Sequence, residues 1–396
     1  MKVHILGGFL GSGKTTAITS AALLLIEQGK KVAVITNDQG KYLVDTSFID
    51  SNNIPSAEVT NGCFCCNFNS LSDQLEKLEN VIKPDCIFAE SVGSCTDLVA
   101  TVLNPLQLLK YKLFDNITFS VFVDCRILLD YLIGNPLPFT DAIVYIFSKQ
   151  IEEADLLIIN KIDLLPAAGL LKIQELANQQ LGGKLLIFQN TLNKDHIQKW
   201  LDTLESLPMR RREALDIDYE IYGKGEADLA WLDEEINIQS DNDSSWDQAI
   251  SFIETMVNEI NNRKISIGHL KFLLKGEGIS HKISFTTIVD TLWKNKLPDL
   301  KLSNVQMMVN SRIAATPEVA REIVRKGINS ISFPGILVTE SHEQSFTPGF
   351  PNPTHRITRE IPCCEECRCI KSINNSQPET CLCDCNTNEE SCCRFQ

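Results

Sequence analysis

Residues 8–15 read Gly-Phe-Leu-Gly-Ser-Gly-Lys-Thr. The run follows a short apolar stretch at 3–6 and precedes Ala17, Ile18, Ala21, Leu24 and Leu25, which fall at helical spacing. A Gly-x-x-x-x-Gly-Lys-Thr loop between a strand and a helix is built to hold phosphate. Its glycines let backbone N–H groups turn inward around phosphate oxygens. The helix N-terminus adds positive potential. Gly8, Gly11, Ser12, Gly13 and Thr16 are the expected cradle. Lys14 is expected to reach the β- and γ-phosphates, and the Thr15 hydroxyl to hold Mg²⁺.

Further apolar runs at 32–36, 86–89, 119–123, 156–159 and 185–188 are rich in Val, Ile, Leu or Phe. Continuous runs of that length suit strands buried on both faces of a parallel sheet, with helices crossing between them. The expected fold is α/β: a doubly wound, mainly parallel P-loop sheet over residues 1–205. Acidic residues crowd into 206–245, which reads as a linker. Residues 246–340 read as helix, three strands (265–274, 282–288 and 305–309) and helix, a small α+β domain. In it Thr316 and Pro317 mark a helix start, and Gly327 a stop. Residues 341–396 form a Cys-rich tail with little expected regular structure.

Lys and Arg number 37 against 51 Asp and Glu, a net charge of −14. That balance argues against a nucleic-acid partner. No run of about 18 apolar residues predicts a membrane span. The first residues do not read as a secretory leader, so a cytoplasmic, reducing compartment is expected.

Asn160-Lys161-Ile162-Asp163 ends the run at 156–159. The Asp163 carboxylate can accept both the N1 and N2 hydrogens of guanine, whereas adenine offers no N1 donor. Asn-Lys-x-Asp in that place resembles the guanine motif of GTPases. Asp38 and Glu90 follow the second and third runs, where a carboxylate can hold Mg²⁺ or orient water. Gly93 can give a backbone N–H to the γ-phosphate. Asp124 ends the fourth run and reads as structural.

Of 15 cysteines, six lie before residue 340 and nine within 363–393. Cys63, Cys65 and Cys66 can converge on one thiophilic cation such as Zn²⁺, Co²⁺ or Cu⁺. Three thiolates leave a tetrahedral site one ligand short, which suits delivery. Cys86, Cys95 and Cys125 read as core packing. Cys363, Cys364, Cys367, Cys369, Cys381, Cys383 and Cys385 carry C-C, C-x-C and C-x-x-C spacings, a metallothionein-like composition suited to d¹⁰ cations.

Taken together, Gly8 to Thr16, Asn37-Asp38 with Gly40, Asn61-Gly62-Cys63-Phe64-Cys65-Cys66, Glu90 with Gly93, and Gln150 to Asp163 resemble the CobW-type metallochaperone GTPases. These relate to the urease and hydrogenase nickel-accessory GTPases. The resemblance covers about residues 1–200. It implies GTP hydrolysis coupled to metal binding, with Cys63, Cys65 and Cys66 as ligands and Asp38 and Glu90 in the switch loops. It also implies a small C-terminal domain. The chain departs from that pattern at the first switch, with Asp38, Gln39 and Lys41 where Glu, Phe and Glu are usual. It has six scattered His in place of a His-rich stretch.

The expected function is a GTPase that binds Zn or Co and couples GTP state to its delivery. The expected partners are GTP, Mg²⁺, the transition metal, and a client metalloprotein or cofactor-pathway protein, with a dimer as one arrangement. The alternatives are a GTP-gated regulator of a corrinoid or metalloenzyme partner with a structural metal, and a metal buffer with weak GTPase activity.

Overall fold

The computed structural model describes residues 1–37, 44–60, 62–110, 113–210, 212–289, 291–358, 370–371 and 381–382. Seven strands form the first sheet: β1 (Lys2–Gly8), β2 (Val32–Asn37), β3 (Ser56–Val59), β4 (Cys86–Glu90), β5 (Asn116–Asp124), β6 (Leu156–Asn160) and β7 (Leu185–Gln189). Their order is β3-β2-β4-β1-β5-β6-β7, and every pairing is parallel. β4 and β6 are buried along their whole length, as continuous apolar runs require of a sheet covered on both faces. The fold is the expected mainly parallel α/β sheet, with a separate antiparallel sheet after it.

α1 (Lys14–Glu27), α2 (Val44–Ser51), α3 (Phe68–Val81), α4 (Asn104–Leu109), α5 (Cys125–Leu132), α6 (Asp141–Glu153), α7 (Ala167–Leu181) and α8 (Lys194–Ser206) connect the strands. Successive strand side chains point to opposite faces, so two cores form. Val3 and Ile5 pack with Leu71, Leu128 and Phe147 on one face. Leu6 packs with Ala17, Ile18 and Trp200 on the other. β3 escaped the sequence reading. It is a four-residue edge strand with one fully buried side chain, so it carries no apolar run.

The segment 206–245 is not a linker. It holds α9 (Tyr219–Ala227) and β8 (Ala230–Ser240). Its acids mislead because several are inside: Glu226, Asp233 and Glu234 are all nearly inaccessible. Glu226 accepts from Ser94 Oγ at 2.9 Å and pairs with the buried Arg312 at 3.3 Å. Asp233 accepts from Asn310 Nδ2 at 2.6 Å. Burial and the nearby Glu340 and Glu343 push the Glu234 carboxyl up to about 9.

After α10 (Ser245–Asn262) come β9 (Ile267–Gly276), β10 (Ile279–Phe285), β11 (Asn304–Ile313), α11 (Pro317–Ile331) and β12 (Ile336–Phe346). The second sheet runs β10-β9-β11-β8-β12, antiparallel throughout. It has five strands where three were expected, because β8 lies before and β12 across the anticipated limits of 246 and 340. Thr316 does cap α11, accepting from Val319 N. Gly327 does not end it: the helix runs on to Ile331. A Cβ at Gly327 would stand 2.7 Å from the Phe252 ring, so glycine serves the close approach of α10 and α11. Among the described residues no helix is long and apolar enough to cross a membrane.

Glu153, ending α6, accepts from Thr96 Oγ1 at 3.2 Å and Val99 N at 3.3 Å. Burial, with Asp97 nearby, pushes its carboxyl up to about 8. Between roughly pH 4 and pH 8 the folded chain keeps a proton that the unfolded chain releases. The group's stabilisation is therefore complete at low pH and lost as pH rises through about 8. Thermal melts should show wild type losing Tm relative to Glu153→Gln from pH 5 to pH 8. A pH-independent gap would mean that Glu153 is ionised throughout.

Candidate functional site

A cavity of about 640 Å³ opens at the carboxyl ends of β1, β2, β4 and β6, the edge where parallel α/β sheets take ligands. Gly11, Ser12, Gly13, Lys14, Thr15, Thr16, Glu90, Gly93, Lys161 and Asp163 all line it. Gly8 and Asn160 stand behind it. Gly8 O accepts from Lys14 Nζ at 2.7 Å, and Asn160 Nδ2 donates to Ser12 O at 2.8 Å. Thr15 Oγ1 donates to Glu90 Oε1 at 3.0 Å. Glu90 Oε2 is buried with no hydrogen-bond partner among the described residues. Burial and the proximity of Asp45 push the Glu90 carboxyl up, and burial pulls the Lys14 ammonium down. A hydroxyl and a carboxylate with a spare oxygen are hard donors that fit Mg²⁺. Asp38 lies outside the described residues.

The loop after β6 turns sharply, with Lys161 at φ 63°. Lys161 Nζ donates to Gly11 O at 2.6 Å and pairs with Asp124 at 3.1 Å. Asp124 has the structural part read for it: it caps α5 and pairs with Arg126 at 2.7 Å. Asp163 sits in the short turn Ile162–Leu164 on the cavity wall.

The opposite wall is one that no motif announces. His269, Lys271, Lys282, Ser284 and Thr286, on or beside β9 and β10, line the same cavity. Gly11 has φ +68°, and a Cβ there would stand 2.4 Å from Thr286 Cγ2, so the second sheet lies directly on the phosphate loop. Lys282 pairs with Asp45 of α2 at 2.7 Å, and Lys271 shares that carboxylate. Burial would push Asp45 up, but the two ammonium groups outweigh it and hold it far below the carboxylate range. Val44 N donates to Asn310 Oδ1 at 2.7 Å.

The cysteine motif lies between β3 and α3. Phe64 and Phe68 are sunk in the core and anchor the turn. The Cys63, Cys65 and Cys66 sulfurs lie within 4.8 Å of one another, Cys63 and Cys65 buried and Cys66 half-buried. They are 2.7, 3.4 and 3.8 Å apart. A tetrahedral zinc thiolate site sets its sulfurs about 3.8 Å apart, so Cys65 and Cys66 already stand at that spacing while Cys63 must move away from both, chiefly from Cys65. Hydrogen bonding from Cys63 raises the Cys65 thiol well above its ordinary range and the Cys66 thiol to about 11. Cys86 and Cys125 are core residues as read. Cys95 is more than that: its thiol interacts with those of Cys63 and Cys65, an effect that brings it down to about 7. Its sequence neighbours Ser94 and Thr96 gave no sign of this.

Two further pieces hold the motif. Asn37, at the end of β2, lines the phosphate cavity. Its Nδ2 donates to Val59 O at 2.9 Å and Gly62 O at 2.8 Å, and its Oδ1 accepts from Phe64 N at 2.8 Å. The chain beyond β12, where little regular structure was expected, crosses the cysteines. Thr354 N donates to Cys65 O and Thr354 Oγ1 to Cys66 O, both at 2.8 Å. Asn352 N donates to Cys66 Sγ at 3.4 Å, and Arg356 pairs with Asp97 at 2.7 Å. Cys363, Cys364, Cys367, Cys369, Cys383 and Cys385 lie outside the described residues. The backbone at Cys381–Leu382 pairs with Ile370–Lys371.

Removing the Asn37 amide strands two carbonyls and one N–H. Asn37→Ala should cost about 1–3 kcal/mol in urea unfolding and weaken metal binding at the cysteines. Unchanged metal affinity would show that the turn holds its shape without it.

Residues 2–188 match the family described as CobW/HypB/UreG, nucleotide-binding domain. The zinc chaperone YjiA of Escherichia coli is 39% identical over 98 residues, 24% of this chain and 30% of that protein. The zinc chaperone CobW of a Sinorhizobium species is 27% identical over 198 residues, 43% of this chain and 53% of CobW. The matches thus span about a third and about half of those two relatives. The urease accessory protein UreG of Metallosphaera sedula is 32% identical over 203 residues, 48% of this chain and 85% of UreG. Among solved structures, the hydrogenase maturation factor HypB of Archaeoglobus fulgidus aligns over 52% of this chain and 88% of its own. Its identity is 21% and its TM-score 0.36. The chain belongs to the CobW/HypB/UreG family of nucleotide-binding proteins.

Proposed function

We propose that this chain is a GTP-hydrolysing metallochaperone that holds a thiophilic ion, zinc first, at Cys63, Cys65 and Cys66 and hands it to a client metalloprotein according to nucleotide state. The observation that carries the reading is Asn37. One side chain lines the phosphate cavity and ties down the turn bearing the three sulfurs. The zinc chaperones among the relatives support zinc over cobalt.

In this reading Gly11, Ser12 and Gly13 wrap the phosphates, and Lys14 leaves Gly8 O to neutralise them. Thr15 and Glu90 would hold Mg²⁺, which would supply neutralisation of phosphate charge. Glu90 and Asp38 are the carboxylates for orienting water, and Gly93 offers its N–H. Gly93 O and Cys95 O are both held by Gln150 Nε2, at 3.0 and 2.8 Å, which fixes that loop beside the cysteines. Asn160 braces the phosphate loop, Lys161 covers it, and Asp163 reads the base. The tail cysteines Cys363, Cys364, Cys367, Cys369, Cys381, Cys383 and Cys385 form a second store of thiols. Cys363 is five residues past Thr358, a reach of up to about 17 Å.

The test is Zn²⁺ titration against a chromophoric chelator alongside GTP turnover, in wild type and Cys65→Ser. The variant should lose at least about tenfold in Zn²⁺ affinity, and zinc should no longer alter its GTP turnover. Unchanged Zn²⁺ affinity would refute the triad. For the base, Asp163→Asn should weaken GTP roughly ten- to a hundredfold, as loss of a charged hydrogen-bond acceptor does, and should favour xanthosine triphosphate. Equal GTP affinity in the two proteins would refute the base-reading role.

A further inference from the structure

Beyond β12 the chain reads Pro351-Asn352-Pro353-Thr354. Proline has no N–H, fixes its own φ and holds the residue before it extended. In this run only Asn352 and Thr354 can donate from the backbone, and both donors go to the cysteine turn. Thr354 N meets Cys65 O at 2.8 Å, and Asn352 N meets Cys66 Sγ at 3.4 Å. The Thr354 hydroxyl adds a bond to Cys66 O at 2.8 Å. Two cysteine carbonyls and one sulfur are thus held by a segment 286 positions further along the chain.

The segment is anchored on both sides. Pro351 is buried, and the Phe350 ring lies on α9, where a Cβ at Gly223 would stand 2.5 Å from it. On the other side Arg356 Nε donates to Asp97 Oδ2 at 2.7 Å, and Nη2 to Leu215 O at 3.2 Å. The guanidinium lies 5.4 Å over the Tyr219 ring, and Tyr219 OH donates to the same Asp97 oxygen at 2.7 Å. Ile357 N donates to Ala100 O at 2.8 Å, and Ile357 O accepts from Asn104 Nδ2 at 2.9 Å. His355 packs edge-on against Phe68, the core ring beneath the turn, at 5.0 Å. Asp97 belongs to the loop after β4, whose Gly93 lines the phosphate cavity. Its φ of 63° is rare for a residue other than glycine and persists only where the surroundings enforce it. Tyr219 and Arg356 are those surroundings.

We propose that residues 352–356 are a clamp on the metal site, with Asn352 and Thr354 as positioning residues and Arg356 as the latch to Asp97. The clamp sets how fast the thiols give up their ion. Cys66 is the half-buried sulfur of the three, and so the one that a client can reach first. An N–H aimed at a metal-bound sulfur takes up part of its charge and fixes its orientation. Bonds to the Cys65 and Cys66 carbonyls keep those two ligands from swinging outward together. Packing alone would account for Phe350 and His355, but it does not require two backbone donors, set apart by prolines, to end on the cysteines.

The clamp presupposes that Cys63, Cys65 and Cys66 are the metal site, and the experiment keeps the two ideas apart. The full chain is loaded with Zn²⁺, or anaerobically with Co²⁺, beside Cys65→Ser loaded the same way. The difference between the two proteins is the ion on the triad. Stopped-flow extraction by excess chromophoric chelator then compares wild type with Asn352→Pro, Asn352→Ala, Thr354→Val, Thr354→Ser, Arg356→Gln and Arg356→Lys, each checked by thermal melt. Asn352→Pro and Thr354→Val should each release zinc about three- to tenfold faster, the size of one lost hydrogen bond. Arg356→Gln loses a charged bond and should release it about tenfold faster or more. Asn352→Ala keeps the N–H, Thr354→Ser the hydroxyl and Arg356→Lys the charge, so these three should stay near the wild-type rate. With Co²⁺ bound, Asn352→Pro should move the sulfur-to-cobalt charge-transfer band and Asn352→Ala should leave it in place. Thr354→Val and Arg356→Gln leave the backbone donors intact, so the test stands even if Asn352→Pro fails to fold. Equal ion content in wild type and Cys65→Ser ends the metal reading and this inference with it. A triad ion in wild type that the folded Val and Gln variants release at the wild-type rate ends this inference alone.

Discussion

Asp45 is the carboxylate on which the two sheets meet. It belongs to α2 of the parallel domain, and its partners Lys271 and Lys282 belong to the antiparallel one. Buried charge of this kind must be matched, because breaking such a group leaves an uncompensated ion at a cost of several kcal/mol. The match fixes how the second sheet lies over the first. It seats Thr286 against Gly11 and Val44 against Leu273, so that one wall of the cavity is made by residues more than 250 positions from the phosphate loop. Arg312 and Glu226 make a second buried tie on the far side, with Arg312 stacked 5.0 Å from the Trp231 ring.

The geometry of the parallel sheet then decides the rest. Its strands all end on the same edge, so β1 delivers the phosphate loop, β2 delivers Asn37, β4 delivers Glu90 and β6 delivers Asn160 to one place. Asn37 draws the turn after β3 in over the end of β2, beside the loop after the neighbouring β4. Cys95 comes to the other thiols by that route. The chain past β12 closes the far side of the turn through Thr354 and Arg356. Phosphate cavity and cysteines are therefore two sides of one loop layer, with Asn37 between them.

How much of this could be read from the sequence follows from what leaves a local mark. Strands buried on both faces appear as unbroken apolar runs, so six of the seven parallel strands are legible; β3, at an edge, leaves no run. The phosphate loop, Asp163 and the cysteine triplet carry their spacing with them. Lys271 and Lys282 do not, because a lysine on an amphipathic strand looks the same whether it faces water or a cavity. Glu226 and Asp233 look like solvated linker residues because sequence shows their charge and not the partners that let them be buried. Gly327 looks like a helix stop because the Phe252 ring that requires it lies 75 positions away. Cys95 looks like a core thiol for the same reason.

The thiols show what kind of metal site such a chain can offer. Hydrogen bonding with Cys63 raises the Cys65 and Cys66 thiols and so favours their protonated forms. A metal that binds there has to displace protons as well as water, so part of the thiolate–metal bond energy goes into deprotonation. The same protons are available to return when the ion leaves. A cage of ready-made thiolates closed by four ligands would hold zinc structurally. Three hydrogen-bonded thiols on a half-buried turn, with a fourth sulfur beside two of them, are not such a cage.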